Sequence, residues 1–239
     1  MKNIGTLTQR ELSVLFYSPV AYVVIAIFLI VSGIFFGSDN FQPGAEASVR
    51  VLFGSYLPLI LVFILPMLTM RLLSEEFRSG TIESLMTAPV TETDVIVGKF
   101  LGALLFYGVM LATTLIYVVL IALYGPLDKG LVVSTYVGLI LLGGLYTAVG
   151  LFFSACTRNQ VIAVLCSFVL LAVLTFLANW LAGQQEGTIR VILQQVSIMS
   201  HYQDFARGLI DLNHVVYFVS STALFLFFAV KVLESRRWR

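Results

Sequence analysis

Residues 131–155 read LVVSTYVGLILLGGLYTAVGLFFSA, an unbroken run without Asp, Glu, Lys or Arg. A helix needs about 20 apolar residues to cross the hydrocarbon core of a bilayer. Five more runs meet or approach that length without a charge: 19–37, 51–70, 100–124, 161–181 and 215–230. The pattern predicts an all-α integral membrane protein with six transmembrane helices. The connecting stretches hold nearly all the charges, and none is long enough to form a separate water-soluble domain. Residues 1–239 are therefore read as a single transmembrane domain.

Composition agrees. Charged residues make up 11% of the chain and hydrophobic residues 59%, whereas a soluble domain carries roughly 25% charged residues. The net charge of +1 carries no signature of nucleic-acid binding, and none is expected. The first run is too long for the apolar core of a signal peptide and is expected to stay in the membrane. With six spans, Lys2, Arg10, Arg71, Arg78, Lys99, Arg158, Lys231, Arg236, Arg237 and Arg239 fall on one side. Arg50, Lys129, Arg190 and Arg207 fall on the other. The positive-inside rule then predicts that both termini are cytoplasmic.

Three stretches outside the spans carry information. Residues 1–17 mix Ile4, Leu7, Leu15 and Phe16 with Lys2, Gln9, Arg10 and Glu11, a pattern that predicts an amphipathic helix in the membrane interface. The cytoplasmic loop 71–93 is charged. The external segment 183–213 places Ile189, Ile192, Val196 and Met199 at helical spacing, predicting one or two short helices at the outer leaflet.

Other chemistry is poorly supported. The predicted spans contain no carboxylate or cation to bind or relay a coupling ion, which disfavours an ion-coupled carrier. His201 and His214 read as interfacial polar side chains. They lack the partners of a serine–histidine hydrolase or a zinc site. Cys156 and Cys166 match no metal or redox spacing and read as packing residues. No residue is assigned a catalytic, cofactor-binding or metal-binding role.

The loop begins Arg71-Leu72-Leu73-Ser74-Glu75-Glu76-Phe77-Arg78-Ser79-Gly80-Thr81. Two helical turns from Ser74 would set Glu75 and Glu76 near a positive N-terminal end. Phe77, Leu85 and Met86 supply apolar contact, and Pro89 breaks the element. The stretch reads equally as a solvated loop with helical propensity or as a short helix that a soluble partner grips.

This loop, with Glu83-Ser84-Leu85 and the closing Ala88-Pro89-Val90, resembles the coupling-helix signature of the ABC-2 type permeases, the membrane subunits of ATP-binding-cassette exporters. The likeness continues through Val97-Gly98-Lys99-Phe100-Leu101 and residues 150–160. It extends to Ser200-His201-Tyr202-Gln203-Asp204-Phe205-Ala206-Arg207-Gly208-Leu209-Ile210-Asp211 and the ending Leu233-Glu234-Ser235-Arg236-Arg237-Trp238. These resemble the branch holding the gliding-motility permease GldF and, more distantly, NosY. Asn213-His214 departs from the charged pair expected before the last span.

The resemblance implies a permease that pairs with a second copy of itself in a bacterial inner membrane. A separate ATPase subunit would bind ATP and Mg, and this chain would bind no cofactor. The implied ATPase contacts are Glu75, Glu76, Phe77, Arg78, Gly80, Thr81, Glu83, Leu85 and Pro89, together with the N-terminal helix. The implied external gate comprises His201, Tyr202, Phe205, Arg207, Gly208 and Asp211. A large auxiliary membrane protein of the GldG type is a further implied partner. The alternative is a membrane anchor or mechanical transmission subunit, in which ATP use moves a partner and no solute crosses.

Overall fold

The computed structural model describes residues 2–40, 49–81, 91–124 and 128–237. They are helical almost throughout, with no strand among them. Helix α1 spans Lys2–Tyr17 and α2 Pro19–Asn40. A π-helical turn, Leu52–Tyr56, leads into α3, Leu57–Thr69, and α4, Arg71–Ser79. Then come α5, Glu92–Thr113, α6, Leu115–Tyr124, and α7, Lys129–Cys156. Helix α8, Gln160–Ala172, passes through a second π-helical turn, Val173–Leu177, into α9, Ala178–Gln184. Short helices α10, Gly187–Val196, and α11, Ile198–Ala206, precede the last, α12, Leu212–Arg237.

Six helical stretches are long and apolar enough to cross a membrane: Ala21–Asn40, Leu52–Ser79, Glu92–Leu123, Lys129–Cys156, Gln160–Gln184 and Leu212–Arg236. Number and order are those expected. The third differs in one respect. It starts at Glu92, so Lys99, just outside the predicted run 100–124, lies inside a continuous helix. Thr91 starts that helix with a capping box: its side chain accepts from Asp94 N–H while the Asp94 carboxylate accepts from Thr91 N–H.

Helix α7 is the hub. Every residue from 142 to 151 is buried, as befits an all-round apolar helix in the centre of a bundle. Two glycines set the closeness of its neighbours. A Cβ on Gly150 would stand 1.9 Å from Thr69 Oγ1 of α3, and one on Gly143 would stand 2.1 Å from the Tyr107 ring of α5. Tyr107 completes that contact by donating to Leu139 O at 2.8 Å. By contrast α2 leaves Tyr22, Val23, Ile27, Ile30 and Ile34 exposed, a face left for lipid or another chain.

The bundle has two distinct ends. At one, Arg236 of α12 stacks its guanidinium over the Phe77 ring, 4.4 Å from the centroid, and donates to Cys156 O at the end of α7. Helices α1 and α4 and the start of α5 meet at this same end. At the other, Tyr202 of α11 donates to Phe53 O in the first π-turn at 2.6 Å, and Ser134 of α7 donates to Phe205 O at 2.9 Å.

Three expectations change. Helix α1 packs into the chain as well as facing outward: Thr8, Glu11 and Leu15 are buried along one face. The apolar periodicity of 189–199 does not belong to one helix. Ser197 takes an extended ψ of 117° and caps α11 by accepting from Ser200 N–H, so Met199 lies on the next element. Ile189, Ile192 and Val196 stay exposed while Ile198 and Met199 are buried. Finally, α4 does not start at Ser74. Met70 keeps helical angles (φ −53°, ψ −36°), so α4 continues from α3 and Glu75 and Glu76 fall within the helix, away from any free N-terminus.

Candidate functional site

The site is the terminal end of the bundle, built around α4. Its attachment begins with Ser154 of α7, whose hydroxyl donates to Met70 O at 2.8 Å and accepts from the N–H groups of Leu73 and Ser74, each at 3.1 Å. One buried hydroxyl thus serves three backbone groups where α3 passes into α4. Ser74 also donates to Met70 O. Leu72, Leu73 and Phe77 turn inward against Val95, Ile96 and Phe100 of α5 and Leu233 of α12.

Charge completes the joint. Lys99 Nζ lies 2.7 Å from Glu76 Oε1 and 3.1 Å from Glu11 Oε1. Arg10 reaches the same two oxygens at 3.4 and 2.8 Å. Two cations and two carboxylates therefore balance, and they tie α1, α4 and α5 together. Lys99 is only 2% exposed. An ammonium so placed is tolerated only with paired, hydrogen-bonded anions. The second oxygen of Glu76, Oε2, is buried and has no hydrogen-bond partner.

Local sequence explains the close approach. Gly98 and Gly102 lie one turn apart on α5, and Cβ atoms there would stand 2.8 Å from the Cβ atoms of Leu7 and Glu11. The bare strip between them lets α1 settle onto α5, which brings Glu11 to Lys99. Neither Glu11 nor Lys99 figured among the expected site residues. The signal was a lysine framed by glycines four residues apart, at the head of an apolar run.

The remaining expected residues divide. Glu75 and Arg78 are exposed on α4, available to a partner. Phe77 is 8% exposed and packs within its own chain, not toward solvent. Gly80 ends α4 in the left-handed region, φ +75°, so it terminates the helix instead of continuing it. Thr81 hydrogen-bonds with Ser79 just beyond, 2.9 Å between the hydroxyl oxygens. Glu83, Leu85, Met86 and Pro89 lie outside the described residues. At the far end, Tyr202 and Phe205 are fully buried and pin α11 to the bundle. Gly208, φ +90°, turns the chain out of α11, while Arg207 and Asp211 are exposed at the rim and His201 is partly buried.

A family model described as ABC-2 family transporter protein matches residues 6–233. The chain belongs to the ABC-2 transporter family. This ABC-2 chain is a multi-pass membrane protein, and the match takes in α1, α4 and all six spans. Among curated proteins, no relative matches it. The ABC-2 match does not reach the finer resemblance to gliding-motility permeases.

Proposed function

We propose that this chain is the permease subunit of an ATP-binding-cassette exporter, working as a pair of identical chains and driven by a separate ATPase subunit. Family membership implies association with an ATP-binding-cassette partner. The observation that supports a transmitting role is the joint at α4. A helix that exposes Glu75 and Arg78 is fixed to α7 by Ser154, to α12 through Phe77 and Arg236, and to α1 and α5 through Lys99. Force applied to α4 would reach four other helices without passing through a loose loop.

The contact with the ATPase subunit would then be polar at its exposed rim, with Glu75, Arg78, Gly80 and Thr81, and would extend into 82–90. The termini would be cytoplasmic and the membrane a bacterial inner membrane. ATP and Mg would sit on the partner. The carrying test is co-purification. The chain, expressed with its ATP-binding-cassette subunit, should retain that subunit and stimulate its ATPase activity in proteoliposomes. Failure to associate would overturn the reading. Association with ATPase stimulation and no solute flux would favour the mechanical alternative, including an auxiliary membrane protein as the moved partner.

A further inference from the structure

At the end of the bundle away from the termini, two histidines face each other. His201 Nδ1 and His214 Nδ1 are 2.8 Å apart. The outer nitrogens are also engaged: His201 Nε2 lies 3.0 Å from Gln195 O, and His214 Nε2 lies 2.7 Å from Asp204 Oδ2. A carbonyl and a carboxylate only accept. Both Nε2 atoms must therefore carry hydrogen. The short Nδ1···Nδ1 contact needs one hydrogen more, and has room for only one. The pair thus holds three N–H protons and a single positive charge, whichever ring bears it.

We propose that His201, His214 and Asp204 form a proton-binding latch that holds α10 to α11 and α12 in one protonation state of the histidine pair and releases it on acidification. A fourth proton would set two N–H groups against each other across the 2.8 Å gap; a missing one would set two lone pairs there. Either change breaks the bridge between α11 and α12. The held element is otherwise weakly attached: α10 contributes no buried residue. Its last carbonyls are carried by this cluster, Gln195 O by His201 and Val196 O by the Tyr217 hydroxyl of α12 at 3.0 Å. Tyr217 also stacks on His201, with ring centroids 3.9 Å apart.

The surroundings fix the sign. Burial holds His201 below its ordinary value of 6.5, helped by the neighbouring His214 and opposed by the Gln195 carbonyl and Asp204. The other charged groups facing the cleft are Arg207, which follows α11 and lies 3.4 Å from Asp204 Oδ1, and Arg190 on α10; Asn179 of α9 is neutral. Asp211, in the turn before α12, accepts from Asn213 N–H. Two separated imidazoles together hold about two N–H protons well above pH 6.5 and four well below it, against three in the latch, so the latch is strongest near that value. As pH falls below 6.5 the open form gains a proton that the latched form refuses, and the latch weakens.

Hydrogen exchange of the full chain in nanodiscs tests this, with rates corrected for intrinsic pH dependence. Between about pH 6.5 and about pH 5, amide protection across 187–196 should fall by up to about tenfold per pH unit, while 142–151 stays unchanged. His201→Gln should flatten that response. Asp204→Asn, which keeps the shape but removes the anion, should lower protection of 187–196 already at neutral pH. Equal wild-type protection at both pH values would overturn the latch, as would an undiminished pH response in His201→Gln or wild-type behaviour of Asp204→Asn. None of these readouts requires an ATPase partner.

Discussion

Lys99 Nζ of α5 sits 2.7 Å from Glu76 Oε1 of α4, buried between a membrane-spanning helix and the helix proposed to receive force. The pair and its neighbour Glu11 link three elements, α1, α4 and α5, around an ammonium that is nearly inaccessible to water.

Removing the buried cation leaves Glu11 and Glu76 with only the half-exposed Arg10 between them. Lys99→Met should destabilise the chain by about 3–5 kcal/mol, the usual cost of breaking a buried pair from one side. Adding Glu11→Gln and Glu76→Gln to it should recover much of the loss, because the orphaned charges go with it. Thermal unfolding of the purified variants in one detergent measures both. Additive losses across the three changes would show that the charges are not coupled.

Ser154→Ala removes one hydroxyl that serves Met70 O and the N–H groups of Leu73 and Ser74. Unsatisfied buried groups cost about 1–3 kcal/mol each. The expected result is local: faster amide exchange at 71–79 with the exchange of 142–151 little changed. Uniform acceleration across both segments would mean that Ser154 supports the whole bundle and not the α3–α4 joint.

Adjacent glycines on α7 should respond oppositely. A Cβ at Gly143 collides with Tyr107, whereas at Gly144 the nearest atom, Leu104 Cδ1, is 4.0 Å away. Gly143→Ala should cost about 1–3 kcal/mol through overpacking, and Gly144→Ala should be neutral or slightly stabilising through better helix propensity. Melting temperatures of the two single variants decide it.

Gly80 closes α4 with a positive φ, 75°, and has open space around it. Strain, not collision, should therefore govern substitution. Gly80→Ala should lose about 1–2 kcal/mol, and Gly80→Asn distinctly less, since Asn tolerates the left-handed region. Gly80→Pro should be worst because its ring forbids positive φ. Circular dichroism melts of the three variants give the order. A Gly80→Pro variant as stable as wild type would mean that the left-handed termination is not required.

A topology test bears on the proposed sidedness. On a background with Cys156 and Cys166 replaced, a cysteine at Gln185 should react with an impermeant maleimide in intact cells. Labelling only after permeabilisation would reverse the assignment of both ends.

What the sequence determined by itself is the class and the count. Six runs without charge leave a bilayer as the only solvent that suits them, because backbone and side chains together fix a helix of the required length. The helical propensity of the stretch from Ser74 was legible too, though it reads equally as a solvated loop, and so was its resemblance to coupling helices. What only the tertiary structure decided is which groups meet. Lys99 reads as one more cytoplasmic cation until Gly98 and Gly102 admit α1 and carry Glu11 to it. Phe77 reads as an anchor for a partner until α12 lays Arg236 across its ring. His201 and His214 read as two isolated polar residues until α11 and α12 cross and set their rings nitrogen to nitrogen. Hydropathy is summed along the chain and survives in any local window. Pairing of charges and hydrogen bonds depends on distances of about 3 Å between residues far apart in sequence, and those exist only once the helices have packed.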